Sequence, residues 1–291
     1  MVSGVGAARR RGSGLLSAIE ALLLAMVTTA LVAPAFVHAY QVWSTTEEFS
    51  FGYLIPPISV GLLIWRRAAI RQSVGRGANS GLAIALPALV VLLLAHRIEL
   101  HALGGLMVPP LLIGATIYLF GWNTGREVAF PLGFLGFGLG VFRGLLDSVG
   151  FALQAITAYG ASTLAHSLGV SVVRDGLILS SDTFAFVVAE PCSGMSSLVA
   201  LLALAALWTH LAKGPLRGRL AVIASIPPLV IAANSTRVAL VLLVASWFGQ
   251  DAAVGFFHSV SSLVLFGLAL SGLVLVSRIA GCKTFIVASS S

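Results

Sequence analysis

Residues 189–198, AEPCSGMSSL, join a polar, strand-like segment to a long apolar run and place a cysteine at the junction. Pro191 suits the first turn of a helix because its missing N–H would have no partner there. Cys192 would then lie among the free amide donors of a helix N-terminus, where the positive end of the macrodipole favours a thiolate over a thiol. A cysteine in apolar sequence can equally be a small core side chain, so this stretch alone leaves both interpretations open.

The composition predicts a polytopic membrane protein. Of the 291 residues, 58% are hydrophobic and only 9% are charged, whereas soluble domains carry about 25% charged residues. The net charge of +7 comes from short basic clusters between apolar runs. That pattern is typical of cytoplasmic loops, so we expect a lipid bilayer and no nucleic acid as the partner. No polar run is long enough for a separate soluble domain.

The apolar runs predict an all-α fold with about eight transmembrane helices. Residues 1–16 form a basic cytoplasmic tail, and residues 17–39 are interpreted as an uncleaved first span, although residues 37–39 loosely resemble a signal-peptide cleavage site. A transmembrane domain is thus expected over residues 17–280, with a cytoplasmic tail at 281–291. The other seven spans are predicted at about residues 51–65, 82–95, 103–120, 128–142, 194–211, within 220–248 and at 257–278.

Residues 143–191 differ in character from the spans around them. Residues 145–168 predict an amphipathic helix that could lie in the membrane interface. The turn dipeptide Asp175-Gly176 lies between two β-type runs, and residues 183–188 predict another strand. We therefore expect a small extracytoplasmic cap, made of one helix and a β-hairpin, directly before the sixth span.

One group of polar residues, His96, Glu99 and His101, invites interpretation as a metal site. The two histidines are five residues apart, which directs them to different sides of a helix, and no third ligand is nearby in the sequence. An interfacial loop is the better interpretation, and we expect neither a metal nor a cofactor.

The basic residues predict the orientation in the membrane. With the N-terminus inside, only Arg97, Arg143 and Arg174 fall outside and Arg237 lies within a span, while the rest of the 17 Lys and Arg residues are cytoplasmic. This bias follows the positive-inside rule. The two cysteines then lie on opposite sides of the membrane, so they cannot form an intramolecular disulfide.

Three side chains from different helices come to a similar depth near the outer interface. Counting about 1.5 Å per residue from the nearest cytoplasmic basic residue places Arg237 roughly 27 Å, Cys192 roughly 32 Å and His258 roughly 30 Å away from it. Taken singly, Arg237 could extend to the outer headgroups and His258 could be an interfacial histidine. The coincidence of all three favours a functional site.

These residue types suit cysteine-based cleavage of a peptide bond. The Cys192 thiolate would attack the carbonyl, and His258 would supply the proton for the leaving amine. Arg237 is always charged, so it would favour the thiolate and could stabilise the developing oxyanion. Asn234 lies on nearly the same helix face as Arg237 and could orient either partner.

Three short motifs resemble those of the exosortase/archaeosortase family: PCSGM at residues 191–195, NSTR at 234–237, and His258. Residues 50–67 are similar to the early motif of the family, so the likeness covers about residues 45–275. The resemblance implies a multi-pass protein of the bacterial inner (cytoplasmic) or archaeal membrane with its active site on the extracytoplasmic side. Catalytic roles are implied for Cys192, Arg237 and His258, and supporting roles for Glu190, Ser193, Gly194 and Asn234.

The resemblance also implies the substrates. Members are thought to cleave C-terminal sorting signals of membrane-anchored exported proteins, and many are linked to exopolysaccharide production. Such a signal has a short motif such as Pro-Glu-Pro, a hydrophobic span and a basic tail. The acyl group could pass to water, a glycolipid or another amine. Three departures suggest a divergent subfamily that need not read Pro-Glu-Pro: Phe51 replaces a frequent histidine, Ser196 a frequent basic residue and Ser262 a common glycine.

Two other functions are compatible with a multi-pass protein of this composition. In a transporter, Arg237 and His258 would line a solute path, but the polar residues gather near one membrane face and no clear inverted repeat is visible. The chain could also be a non-catalytic component of an export or polysaccharide machine.

Overall fold

The computed structural model describes residues 5–140, 143–188, 194–256 and 262–282. Most of these residues are helical, in agreement with a helical membrane protein. The chain divides into two compact units, Met1–Val141 and Phe142–Ser291. The boundary between the units coincides with the start of the segment in which the sequence changes character.

The first unit is built from helices. Its described α-helices are α1 (Val5–Thr45), α2 (Ile55–Trp65), α3 (Arg67–Ser73), α4 (Leu82–Arg97), α5 (His101–Phe120) and α6 (Trp122–Phe134). Short 3₁₀ helices occur at Glu47–Leu54, Asn79–Gly81 and Leu135–Phe137.

Helix α1 is longer at both ends than the predicted first span, and it includes most of the predicted basic tail. Its buried positions are Val32, Ala35, Ala39 and Trp43. They recur every three or four residues and therefore lie along one face of the helix. This face packs into the same core as residues of α4 and α5.

Packing near the end of α1 explains why the early motif, residues 50–67, contains Gly52. The Trp43 indole Nε1 donates a hydrogen bond to the carbonyl oxygen of Gly138 at 2.9 Å. A β-carbon on Gly52 would overlap the same indole ring. Glycine is thus required at position 52 because the ring lies directly against its backbone.

Helices α2 and α3 are separated by a bend of 62°. Arg66, at the bend, forms a salt bridge of 2.9 Å with Glu127 of α6, and both side chains are about one-third exposed. The pair thus connects the bend to α6, although partly exposed ion pairs contribute little stability.

The second unit contains six described α-helices and a small sheet. The helices are α7 (Arg143–Ser167), α8 (Met195–Leu211), α9 (Leu216–Ala224), α10 (Ile226–Phe248), α11 (Gln250–Phe256) and α12 (Ser262–Ile279), and the strands are β1 (Val173–Asp175), β2 (Ile178–Ser180) and β3 (Ala185–Val187).

The sheet is antiparallel, in the order β1-β2-β3. Gly176 has a φ of +59° in the turn between β1 and β2, a conformation that glycine adopts without strain. Leu179 of β2 is fully buried and shares a core with Phe184, with Ala161 of α7 and with Leu242 of α10. The role of the sheet as an extracytoplasmic cap stays a prediction.

Helix α7 packs closely against α10. A β-carbon on Gly160 of α7 would lie 2.5 Å from the Ser235 hydroxyl oxygen, and Ala158, Ala161 and Ala165 of α7 are fully buried. Small residues permit this close approach of two helices. The amphipathic helix predicted at residues 145–168 thus packs its buried face on α10, a contact that was not expected from the sequence.

Three described helices are long and apolar enough to cross a membrane, or four if the bent pair around Arg66 forms one span. The long ones are Asn79–Arg97, His101–Phe120 and Leu216–Phe248, and Ser197–Leu211 and Val264–Ile279 are shorter apolar helices. The predicted number of eight spans is therefore not confirmed by the described helices. Within Leu216–Phe248, α9 and α10 are separated only at Ser225, next to Pro227 and Pro228 in the first turn of α10.

Candidate functional site

The candidate site is built around the middle of α10. Asn234 is fully buried and the Arg237 side chain is only 7% exposed. They are three residues apart and so lie on neighbouring positions of one helix face. Arg237 therefore lies inside the second unit, which argues against extension of this side chain to lipid headgroups.

A buried guanidinium constrains its surroundings. Removing a cation from water costs several kcal/mol, so the site must supply hydrogen-bond acceptors or negative charge around Arg237. The guanidinium offers five N–H donors in a rigid fork. Such a group can hold a thiolate, a carboxylate or a developing oxyanion in a defined position.

Gly194 brings the start of α8 against this face of α10. Its φ is +80°, and the Leu198 amide donates to its carbonyl oxygen at 2.9 Å. A β-carbon on Gly194 would lie 3.2 Å from Cγ1 of Val230 and 3.3 Å from Cγ of Asn234. Both the backbone conformation and the space therefore favour glycine at position 194 of the cysteine motif, PCSGM at residues 191–195.

Helix α7 forms another side of the site. The Asn234 side-chain amide Nδ2 donates a hydrogen bond to the Thr157 hydroxyl oxygen at 3.2 Å. A β-carbon on Gly150 would lie 2.8 Å from the sulfur of Met195, the first residue of α8. No site residue on α7 was expected from the sequence. The small residues Gly150, Ala158 and Gly160 were the available signal of close helix packing.

The predicted site residues divide into two groups. The first group, Gly194, Asn234 and Arg237, lies in the described part of the chain. Gly194 contacts Asn234, which lies one helical turn before Arg237 in α10. The other predicted site residues, Glu190, Cys192, Ser193 and His258, lie outside the described residues. Their catalytic and supporting roles stay predictions.

The histidines of the α4–α5 region have a different environment. The rings of His101 and His38 of α1 are stacked with centroids 4.0 Å apart, and His96 Nδ1 lies 2.8 Å from the Leu92 carbonyl oxygen. Nothing in the sequence pairs His38 with His101, because the two histidines lie on different helices, α1 and α5. In the described part of the chain, no group of three or more His, Cys, Asp or Glu residues could hold a metal ion.

The comparison with protein families decides the assignment. The model of the transmembrane exosortase family matches residues 43–275, well over half of the chain. The chain belongs to the transmembrane exosortase family. The family membership expected from the three motifs is thereby confirmed. No curated protein and no solved structure matches the chain.

The matched range includes the whole candidate site of this exosortase. It begins at Trp43, whose indole packs on Gly52, and ends within α12. It also includes α7 and the small sheet, so the helix that carries Thr157 belongs to the family domain.

Proposed function

We propose that this exosortase is a cysteine transpeptidase or protease that cleaves C-terminal sorting signals of exported proteins. The observation that carries the proposal is the contact between Gly194 and Asn234, one turn before the buried Arg237. It joins Gly194 of the cysteine motif to the helix that carries the arginine. A cleavage site of this kind needs a nucleophile and a fixed positive charge close together.

The proposed reaction proceeds through a thioester. The Cys192 thiolate attacks the scissile carbonyl carbon, a carbon–sulfur bond forms, and Arg237 stabilises the negative charge that develops on the carbonyl oxygen. The carbon–nitrogen bond then breaks, and the leaving amine takes a proton from His258. Water, a glycolipid amine or another amine opens the thioester, His258 takes the proton of this nucleophile, and the thiolate is released.

The substrate follows from the same proposal. It is a membrane-anchored protein with a short signal motif, a hydrophobic span and a basic tail. The basic tail suits the cytoplasmic side by the positive-inside rule, which places the motif at the outer face of the cytoplasmic membrane together with Cys192. A role in exopolysaccharide production would arise from the proteins sorted in this way.

The two cysteines of the chain offer a matched test. A precursor with such a C-terminal signal is co-expressed with Cys192→Ala or with Cys282→Ala, and membrane fractions are analysed for precursor and mature protein. Cys282 is buried just after α12, in contact with Gly214 and Gly218, so its replacement controls for the loss of a thiol. We expect uncleaved precursor with Cys192→Ala and normal processing with Cys282→Ala.

A covalent intermediate is the decisive observation. Mass spectrometry of trapped material should locate a thioester between Cys192 and the new C-terminus of the substrate. Cys192→Ser should be nearly inactive because its hydroxyl is not ionised by neighbours that activate a thiol. Normal processing by Cys192→Ala, in a strain without a second sortase, would refute the proposal and favour a transporter or a non-catalytic component.

A further inference from the structure

Thr157 and Asn234 form a buried polar pair between α7 and α10. Both residues are fully buried, and Asn234 Nδ2 donates to Thr157 Oγ1 at 3.2 Å. One helical turn further along α7, Gly160 allows the close approach to Ser235 that holds these helices together. The pair therefore lies where the backbones of α7 and α10 are close.

Several other threonines in the described helices use their hydroxyl groups within their own helix, whereas Thr124 of α6, like Thr157, bonds to another helix by donating to the Ser73 carbonyl oxygen of α3. Thr163, Thr209 and Thr236 each donate to the backbone carbonyl four residues earlier in their own helix. Among the described residues, the side chain of Thr157 has one hydrogen bond, which it accepts from Asn234 of α10. The hydroxyl of Thr157 is thus used in helix-to-helix contact.

The hydrogen bond orients the Asn234 amide. Because the Nδ2 group donates to Thr157, the nitrogen points towards α7 and the oxygen points away from it. Gly194 packs on the same amide, since its β-carbon would lie 3.3 Å from both Cγ and Nδ2. A rotation of the amide would therefore change the surface on which the start of α8 rests.

We propose that Thr157 is a positioning residue of the exosortase site. By accepting the hydrogen bond from Asn234, Thr157 holds the amide on which Gly194 rests, and it thereby sets the position of Gly194, which follows Cys192 and Ser193 directly in the sequence. This proposal rests on the proposed function in that it gives Cys192 the catalytic role. Thr157 itself acts through Asn234 and touches no reacting atom.

The test measures the reactivity of Cys192 without a substrate. Full-length protein with Cys282→Ala, reconstituted in liposomes, is alkylated with iodoacetamide over a range of pH, and Thr157→Val is compared with Thr157→Ser. Valine keeps the shape and removes the acceptor, while serine keeps the hydroxyl. Thr163→Val is the matched control, because Thr163 is exposed on the same helix and its hydrogen bond among the described residues goes to the Tyr159 carbonyl oxygen of that helix.

We expect Thr157→Val to slow alkylation at neutral pH about fivefold, which corresponds to the loss of one hydrogen bond. The pH of half-maximal reactivity should move towards the free-cysteine value of about 8.5. Thr157→Ser and Thr163→Val should keep the original profile. A pH profile that is unchanged in Thr157→Val, or changed equally in Thr157→Ser, would overturn the proposal.

A double-mutant cycle tests whether Thr157 affects the reactivity of Cys192 through Asn234. In an Asn234→Ala background, Thr157→Val should have no further effect on the pH profile, because the pair is already broken. An undiminished effect in that background would overturn the proposal. If Thr157→Val does not fold, as judged by its melting curve, Thr157→Ala takes its place. The proposed function is tested separately by precursor processing with Cys192→Ala, so either idea can fail while the other holds.

Discussion

The α-carbon of Gly194 lies against the side-chain amide of Asn234, so closely that a β-carbon would be 3.3 Å from its Cγ and Nδ2 atoms. The two residues belong to motifs that are far apart in the sequence. Their contact fixes the start of α8 beside the helix that carries Arg237. A substitution at either residue should therefore affect the cysteine motif.

Gly194→Ala tests this contact directly. Alanine at a φ of +80° costs about 1–2 kcal/mol, and the new methyl group would press on Val230 and Asn234. We expect a lower melting temperature and a strong loss of precursor processing. Gly267→Ala is the matched control, because Gly267 lies in α12 with open space around it, and alanine there should be neutral or slightly stabilising. Wild-type processing by Gly194→Ala would contradict the assigned role of the contact.

Arg237→Lys distinguishes a simple charge from a hydrogen-bonding fork. If Arg237 grips an oxyanion through its planar guanidinium, lysine should fail nearly as completely as alanine. The expected loss in the rate of cleavage corresponds to about 2.7–4 kcal/mol, the effect of removing a typical oxyanion donor. Arg174→Lys, at an exposed position of β1, should process the precursor normally. A rate for Arg237→Lys within a few-fold of wild type would exclude the oxyanion role.

Gly52→Ala tests the packing of the early motif. The methyl group would overlap the Trp43 indole, so the ring must move and its hydrogen bond to the Gly138 carbonyl should break. We expect a loss of about 1–3 kcal/mol in stability from overpacking. A thermal unfolding curve with Trp fluorescence measures this loss. Gly61→Ala in α2 has free space around it and should unfold like wild type; equal curves for both variants would show that the Trp43 contact is unimportant.

Local features of the sequence were sufficient to predict several helices. The fourth span was expected at about residues 103–120, and the structure has a helix at His101–Phe120 that is long enough to cross a membrane. The sixth was expected at 194–211, and a helix is found at Met195–Leu211, although it is among the shorter apolar helices. Helix ends are marked by local signals such as Gly121, which has a φ of +87° and follows α5 directly. Such signals act within a few residues and can be recognised without knowledge of the fold.

Contacts between distant residues could not be predicted in the same way. Thr157 and Asn234 are 77 positions apart, and no periodicity links a threonine on one helix to an asparagine on another. The same limit applies to the stacking of His38 on His101. The fifth predicted span, at residues 128–142, also differs from the structure, where α6 already begins at Trp122 and ends at Phe134. Hydropathy detects apolar side chains, whereas the first two turns of this helix carry the polar residues Asn123, Thr124 and Arg126.

The distribution of basic residues predicts the side of the membrane on which each part of the second unit lies. Arg174 of β1 and Arg217 of α9 are both exposed, and the positive-inside rule places them on opposite sides. In a Cys192→Ala/Cys282→Ala background, an impermeant maleimide should label Arg174→Cys in intact spheroplasts and Arg217→Cys only after permeabilisation. The native Cys282 is a poor reporter because its side chain is buried, so it should resist labelling until the protein unfolds. Labelling of Arg217→Cys alone in intact spheroplasts would reverse the orientation and move the proposed cleavage site to the cytoplasmic face.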